Sequence, residues 1–530
     1  VKKSRHFEIY SNFKNDSVLK QLTILAEYWY YAHSKVFGDT LKITNPLLFY
    51  ENHADFQQTN VSSDIIGVGT GGFTEGFKNR VVMPVSISKA QTDHVLGHEL
   101  VHAFQYNMLL SDSFTLQEVG NIPLWMIEGM AEYLSLGSID PHTAIWMRDA
   151  VANNKFPTID DITKKMYEYN PYRYGQAFWT FTARMWGDTI APRLLKATAR
   201  FGYDMGMRMV LGVDAKTFSG LWKSASELHF KKLLKDSIII TGKAIITDKN
   251  AGHMNVSPVI SPNGKYVAFI SEKELFTTDL YLADAETGKI LKKLSSTTRN
   301  DEIDAFNYIE SAGSWSPDNK KFAYVVFSKG RNKLIIIDVG KSKIIEEISI
   351  PGIKAFANPS WSPDGEKIAF SGTLNGKSDL FIYNFKTKEV INLTNDNFSY
   401  LHPSWSPDGT WIVFSTDENY EKGLRRSYVT YCFDIGMINV KTGEKRILNI
   451  FPGAGNLNPI FSNDGKAIYF LSDHDGYRNL YKYSLEDGVT YQLTNYNTGI
   501  CGITILSPAI SISNNNHICY SYYNDRKYFI

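Results

Sequence analysis

Two hydrophobic textures divide the chain. Up to about Asp236, apolar residues mostly recur at helical spacing; beyond it they alternate over short runs bounded by turn residues. Near the start, His6-Phe7-Glu8-Ile9-Tyr10-Ser11-Asn12 alternates as a strand does, and a helical period follows from Asp16 to about Val36 behind an acidic first residue. Leu47-Leu48-Phe49-Tyr50 reads as a second strand. A glycine-rich run from Gly67 to Gly76 leads into Asn79-Arg80-Val81-Val82-Met83-Pro84-Val85, predicted as an edge strand to which an extended chain could pair. Helical spacing then returns around His98 and again around Glu128, and holds from Ile139 to about Asp236. Within it, Gly175 to Phe181 opens one helix and Phe218 to Leu234 forms a last amphipathic one. The prediction is an α+β domain over residues 1–236, with a cleft between its strand part and its helical part.

The second texture is repetitive. Ser261-Pro262-Asn263-Gly264-Lys265, Trp315-Ser316-Pro317-Asp318-Asn319, Trp361-Ser362-Pro363-Asp364-Gly365, Trp405-Ser406-Pro407-Asp408-Gly409 and Phe461-Ser462-Asn463-Asp464-Gly465 share one turn chemistry, and Ile512-Ser513-Asn514-Asn515-Asn516 is a degenerate copy. Pro, then Asp or Asn, then Gly suits a tight hairpin, with the preceding aromatic packing between blades. Copies spaced by roughly fifty residues predict an all-β propeller of six blades over residues 237–530. Gly242 to Thr247 is expected as the outer strand of the last blade, whose inner strands run to Ile530, so that the ring closes on itself. These turns resemble the TolB-type propeller repeat.

Composition narrows the classes of function. The 530 residues exceed one ordinary core, and 43% hydrophobic content indicates a globular protein of two or three domains. A formal net charge of +1 offers no field for nucleic acid or an anionic membrane surface. Cys432, Cys501 and Cys519 are too few and too scattered for a disulfide framework or a thiolate metal site. No apolar run reaches the length of a membrane span, and Val1 in place of Met suggests a processed or trimmed chain. The glycine run lacks the Lys-Ser/Thr of a phosphate loop and leads into a strand, so nucleotide binding is not implied.

The chemistry concentrates in Gly97-His98-Glu99-Leu100-Val101-His102. On a helix, His98 and His102 project from one face, where both imidazoles can reach one metal ion, here one Zn2+. Glu99 beside them is placed to act as general base toward a water at the open metal position. A third ligand must follow. A glycine at 105 and a histidine at 108 would supply one, but the chain has Gln105 and Met108. Glu128 is the better candidate, since Trp125 to Tyr133 reads as a helix carrying Glu128 and Glu132 at i and i+4; Glu118 is the alternative. Glu132 would then hold a ligand histidine in its tautomer, unless it is a surface carboxylate. His94, one turn before His98, reads as a polar helix residue.

His98-Glu99-x-x-His102 with Trp125-x-x-Glu128-Gly129-x-Ala131 resembles the gluzincin zinc peptidases, in particular the peptidase-MA-like proteins. The resemblance implies a metallopeptidase with Glu128 as third ligand. Pro171-Tyr172-Arg173-Tyr174-Gly175 is similar to the Pro-Tyr-x-Lys-Gly element of the aminopeptidase branch, which implies Tyr172 as the oxyanion-stabilising phenol; Tyr174 stands where that family has lysine and is the second candidate. Gly72-Phe73-Thr74-Glu75-Gly76 is weakly similar to the Gly-x-Met-Glu-Asn segment that holds a substrate's amino end. The expected function is cleavage of peptides or proteins, as an endopeptidase if Glu75 is a solvated acid and as an aminopeptidase if it binds the N-terminus. An inactive zinc-containing scaffold, with a protein partner on the propeller, is the reading from another class. The resemblances also imply export, to a bacterial periplasm or the exterior.

Overall fold

A computed structural model of the chain describes residues 1–62, 66–76, 78–111, 114–233, 242–274, 277–298, 303–422 and 432–530. The expected boundary at 236/237 lies outside the described residues. No helix among them is long and apolar enough to cross a membrane.

The first half opens on a five-stranded sheet of β1 (Lys2–Lys3), β2 (Phe7–Ser11), β3 (Asn45–Tyr50), β4 (Phe73–Glu75) and β5 (Arg80–Pro84), in the order β1-β2-β3-β5-β4. β2, β3 and β5 run parallel, and β4 returns antiparallel along β5. The edge expected at residues 79–85 is therefore interior: the glycine-rich run folds back as β4 and takes the edge position itself. The helices beside the sheet are α1 (Asp16–Phe37), α2 (His53–Phe56) and α3 (Lys89–Ser111). The helical part continues with α4 (Leu116–Val119), α5 (Leu124–Leu136), α6 (Pro141–Ala152), α7 (Ile159–Lys164), α8 (Pro171–Trp186), α9 (Ile190–Leu211) and α10 (Ala215–Lys231). α8 starts four residues before the predicted Gly175. Asn170 caps it by accepting the Tyr172 and Arg173 N–H groups at 3.0 and 3.3 Å, and Pro171 suits the first turn.

Two close approaches of backbone set the helices that matter here. Gly97 of α3 lies under the Trp29 ring of α1, where a Cβ would fall 2.7 Å from the indole. At the crossing of α5 and α8, Gly129 and Gly175 face one another so closely that a Cβ on either would overlap the other helix's backbone. Backbone cannot yield as a side chain can. Gly129→Ala is therefore expected to cost at least about 3 kcal/mol of stability, the upper end for overpacking, read as a fall in the denaturant midpoint.

The second half is an all-β propeller. Among the described residues five antiparallel blades span 255–295, 305–348, 355–392, 400–448 and 457–492, each of four strands except the second, whose innermost strand is broken into Ala305–Phe306 and Ser314–Trp315. Their turns work as the sequence implies: Ser362 Oγ donates to Asp364 Oδ1 at 2.5 Å, and that carboxylate accepts the Glu366 N–H at 2.9 Å. Gly365 sits at φ +76°, and in the second copy Asn319 takes the left-handed position at φ +61°. Trp315 and Trp405 reach the preceding blade, donating to the Val259 and Ser360 carbonyls.

The expectation of six blades is corrected to five. The degenerate copy at 512–516 lacks both proline and glycine; its turn still closes, with Ser513 Oγ on Asn515 and Asn516 at φ +60°, but its segment forms two short hairpins, Ile510–Ile512 with Ile518–Tyr520 and Tyr522–Asn524 with Lys527–Phe529. Residues 242–247 form no strand, yet the Ile245 and Ile246 N–H groups bond to the Ile530 carbonyl at 2.8 and 3.1 Å. The inner strands share a further feature that the turn motif does not contain. Ser257, Asn358, His402 and Asn458, each directly before a proline, all adopt φ between +53° and +57° where the register shifts by a bulge.

The halves share a packed seam. Ile87 just before α3, Ala90 in its first turn and Leu136 at the end of α5 pack with Leu401, Phe433, Leu457 and Ile505 of the second half. The first N–H of α3, on Lys89, donates to Ser399 Oγ of the fourth blade at 2.9 Å. Lys354 reaches Asp55 at 3.2 Å, and Asp149 of α6 accepts the Asp525 and Arg526 N–H groups.

Candidate metal centre and active site

α3 and α5 bring three predicted ligands together. His98 Nε2 lies 3.1 Å from His102 Nε2 and 3.1 Å from Glu128 Oε2, and His102 Nε2 lies 3.4 Å from the same carboxylate oxygen. Their outer nitrogens are already engaged: His98 Nδ1 with Glu132 Oε1 at 3.0 Å and His102 Nδ1 with Gln105 Oε1 at 2.8 Å. Gln105 is itself oriented, since its amide donates to the Ile127 carbonyl at 3.1 Å. Hydrogens held on the two Nδ1 atoms leave lone pairs on both Nε2 atoms. Two lone pairs and a carboxylate oxygen then converge on one point, an arrangement that calls for a cation. The donor set, two imidazoles and a carboxylate, is one that zinc takes in catalytic sites.

The same demand shows in the ionisation of the residues. Burial disfavours charge on His98, but hydrogen bonds to Glu128 and Glu132 and the charges of Glu132 and Glu99 outweigh it and raise its pKa to about 10. Burial would raise Glu128, yet bonds from His102 and His98 hold its carboxyl below the usual carboxylate range.

A second convergence, of His94, His98 and Glu132, shares one histidine with the first. It already has a cation. Arg173 Nη1 lies 3.2 Å from Glu132 Oε2 and 3.4 Å from Asp140, so Glu132 is a charge-balanced carboxylate that orients His98. It is buried, at 4% exposure, which removes the surface alternative. His94, expected as a polar helix residue, is a buried partner of Glu132 at 3.3 Å and of Ser135. Glu118 is spent elsewhere, accepting the Thr115 N–H and hydroxyl in the cap of α4.

Glu99 meets the sheet edge. Thr74 Oγ1 of β4 lies 2.8 Å from Glu99 Oε2, and a Cβ at Gly72 would lie 3.1 Å from Glu99 Cγ. Gly76 faces the Tyr106 ring of α3, so alternate positions 72, 74 and 76 turn toward that helix. Positions 73 and 75 turn away. Phe73 stacks on Phe56, and Glu75 pairs with Arg80 Nε of the adjacent strand.

The two candidate phenols part company. The Tyr172 ring stacks on His98 with centroids 6.1 Å apart, and burial followed by the charges of Glu128, Glu132 and Glu99 raises its pKa, so it remains a hydrogen-bond donor. Tyr174 is 0% exposed in the helical core against Tyr169 and Trp146, away from the cleft. Four residues of the site, Gln105, Arg173, Asp140 and Thr74, are not among those the sequence pattern singles out. Gln105 stands one turn after His102 and Arg173 lies inside the Pro171–Gly175 motif, so both had a local signal. Thr74 lies in the same way inside the Gly72–Gly76 motif, whereas Asp140 had no such signal, because its partner Arg173 comes from a distant element.

A family model described as a peptidase of plants and bacteria matches residues 77–222, which contain the metal-centre residues and Tyr172. A second, described as a TolB beta propeller domain, matches residues 303–430. No curated protein matches the chain. Among solved structures, TolB from Acinetobacter baumannii is 20% identical over 60% of this chain and 70% of its own, with a TM-score of 0.37. A putative TolB from Agrobacterium tumefaciens is 17% identical over 51% and 91%, with a TM-score of 0.39. Prolyl endopeptidase is 14% identical over 52% and 41%, with a TM-score of 0.32. The chain thus carries a TolB-like propeller behind a segment that is similar to a peptidase family.

Proposed function

We propose that the protein is a zinc-dependent endopeptidase of the gluzincin kind, exported from the cell. The observation that carries this is the convergence of His98 Nε2, His102 Nε2 and Glu128 Oε2 with Glu99 free of that set. Zinc held there would polarise a peptide carbonyl and ease the deprotonation of water. Glu99, steadied by Thr74, takes the proton of the attacking water and returns it to the leaving amine. Tyr172 donates to the oxyanion of the tetrahedral intermediate. Substrate lies along β4, whose open edge can pair with an extended peptide.

The orientation of Glu75 favours cleavage within chains over trimming of N-termini. Its carboxylate is neutralised by Arg80, on the opposite strand face from Thr74. The test is cleavage of an unfolded protein and of peptides with free or acetylated N-termini. The expected result is that blocked and free peptides are cut alike and that a chelator abolishes both reactions. Cleavage restricted to free N-termini would instead establish an aminopeptidase, and bound zinc without any cleavage would leave the scaffold reading.

A further inference from the structure

Arg478 directly precedes the strand Asn479–Ser484 of the fifth blade and is 1% exposed, and its Nε, Nη1 and Nη2 all lack a hydrogen-bond partner among the described residues. Its backbone is pinned. The Ile500 N–H donates to the Arg478 carbonyl at 2.6 Å, and Gly499, at φ +74°, lets the chain pass so close. The side chain therefore enters the seam from a fixed root.

α6 brings two further buried donors to that seam. Arg148, 3% exposed, donates Nη1 to the Gly476 carbonyl at 3.1 Å and lays its guanidinium 4.5 Å over the Tyr477 ring, while its Nε and Nη2 have no hydrogen-bond partner among the described residues. His142, also 3% exposed, has no partner at Nδ1. Asp473 is the carboxylate whose charge bears on Arg478, and its Oδ1 is taken by the Gly455 N–H at 2.7 Å. Asp475 bears on Arg148 from an exposed turn.

A buried guanidinium with every nitrogen unpaired is strongly unfavourable unless an anion meets it. Among the described residues no carboxylate is hydrogen-bonded to this one. We infer that the seam between α6 and the fifth blade binds a small oxyanion, a phosphate or a carboxylate, gripped by the fork of Arg478 with Arg148 and His142 beside it. The guanidinium fork matches two oxygens of such a group, whereas a metal cation is repelled by two arginines. The ligand would bridge the helical half and the propeller. This inference does not depend on the peptidase reading.

The test uses the full chain in a phosphate-free, carboxylate-free buffer at constant ionic strength. Inorganic phosphate and sodium acetate are titrated by calorimetry into wild type, Arg478→Met and Arg478→Lys, and thermal melts are run alongside. Wild type should bind one equivalent and melt roughly 2–5 °C higher when saturated. Arg478→Met should bind neither anion, and in anion-poor buffer it should melt no lower than wild type, because an uncompensated buried charge has gone. Arg478→Lys keeps the charge without the fork and should bind at least about tenfold more weakly. Tighter phosphate binding assigns a tetrahedral anion, and tighter acetate binding a carboxylate. The inference fails if wild type binds neither anion or if Arg478→Lys binds as well as wild type. It also fails if Arg478→Met melts far below wild type in every buffer, since that result means protein groups already satisfy Arg478.

Discussion

Exchanging Glu99 for glutamine is expected to lower kcat by about 10²–10⁴-fold, the range for removing a positioned general base, while leaving zinc content unchanged. The two effects separate because Glu99 belongs to neither group of converging ligand atoms and its Oε2 is held instead by Thr74 at 2.8 Å. Glutamine preserves the shape and can still accept from Thr74, but it cannot take a proton. The measurement is steady-state cleavage of an unfolded protein with metal content assayed in the same preparations. Loss of zinc together with activity would make Glu99 a structural part of the metal site, and undiminished kcat would remove it from the mechanism.

The second large effect is expected at Glu128. Replacing it with alanine leaves two imidazole lone pairs 3.1 Å apart with no carboxylate to complete the set. Zinc affinity should then fall by more than the roughly 10–100-fold that loss of an outer partner costs. Glu132→Gln supplies that comparison, because Glu132 reaches the centre only through His98 Nδ1. Competition with a chromogenic chelator orders the variants. Equal affinities for the two would mean that Glu128 is no ligand, and a larger loss at Glu132 would move the metal to the convergence with His94.

Much of this centre is legible in the amino-acid sequence. His98 and His102 converge because helical spacing places i and i+4 on one face whatever the rest of the chain does. The TolB-like turns are equally plain, since Ser-Pro-Asp-Gly closes its hairpin with bonds made inside five residues, as between Ser362 and Asp364. At residues 512–516 Ser513 and Asn516 close the same turn, yet the count of blades fails, because the strands around it pair as two separate short hairpins and not as one four-stranded sheet. The edge strand fails for a related reason. A strand does form within residues 79–85, at Arg80–Pro84, but whether it lies at an edge depends on β4, which pairs with it through a glycine-rich run that carries little hydrophobic pattern.

The sequence by itself determined the pair of histidines on one helix face, the glutamate beside them, the carboxylate helix that follows, and a propeller built from a repeated turn. Each rests on residues close together in the chain, where backbone geometry alone converts spacing into position. The tertiary structure decided the rest. It sent Tyr172 to the cleft and Tyr174 to the core, turned Thr74 toward Glu99 and Glu75 away, and gave Glu132 an arginine. It also seated the start of α3 and the end of α5 on the propeller, so the helices that carry the metal centre are anchored in part by residues some 300 positions further on, as in the bond from Lys89 to Ser399 with a separation of 310. Such contacts follow from how distant surfaces fit, and no local spacing encodes them.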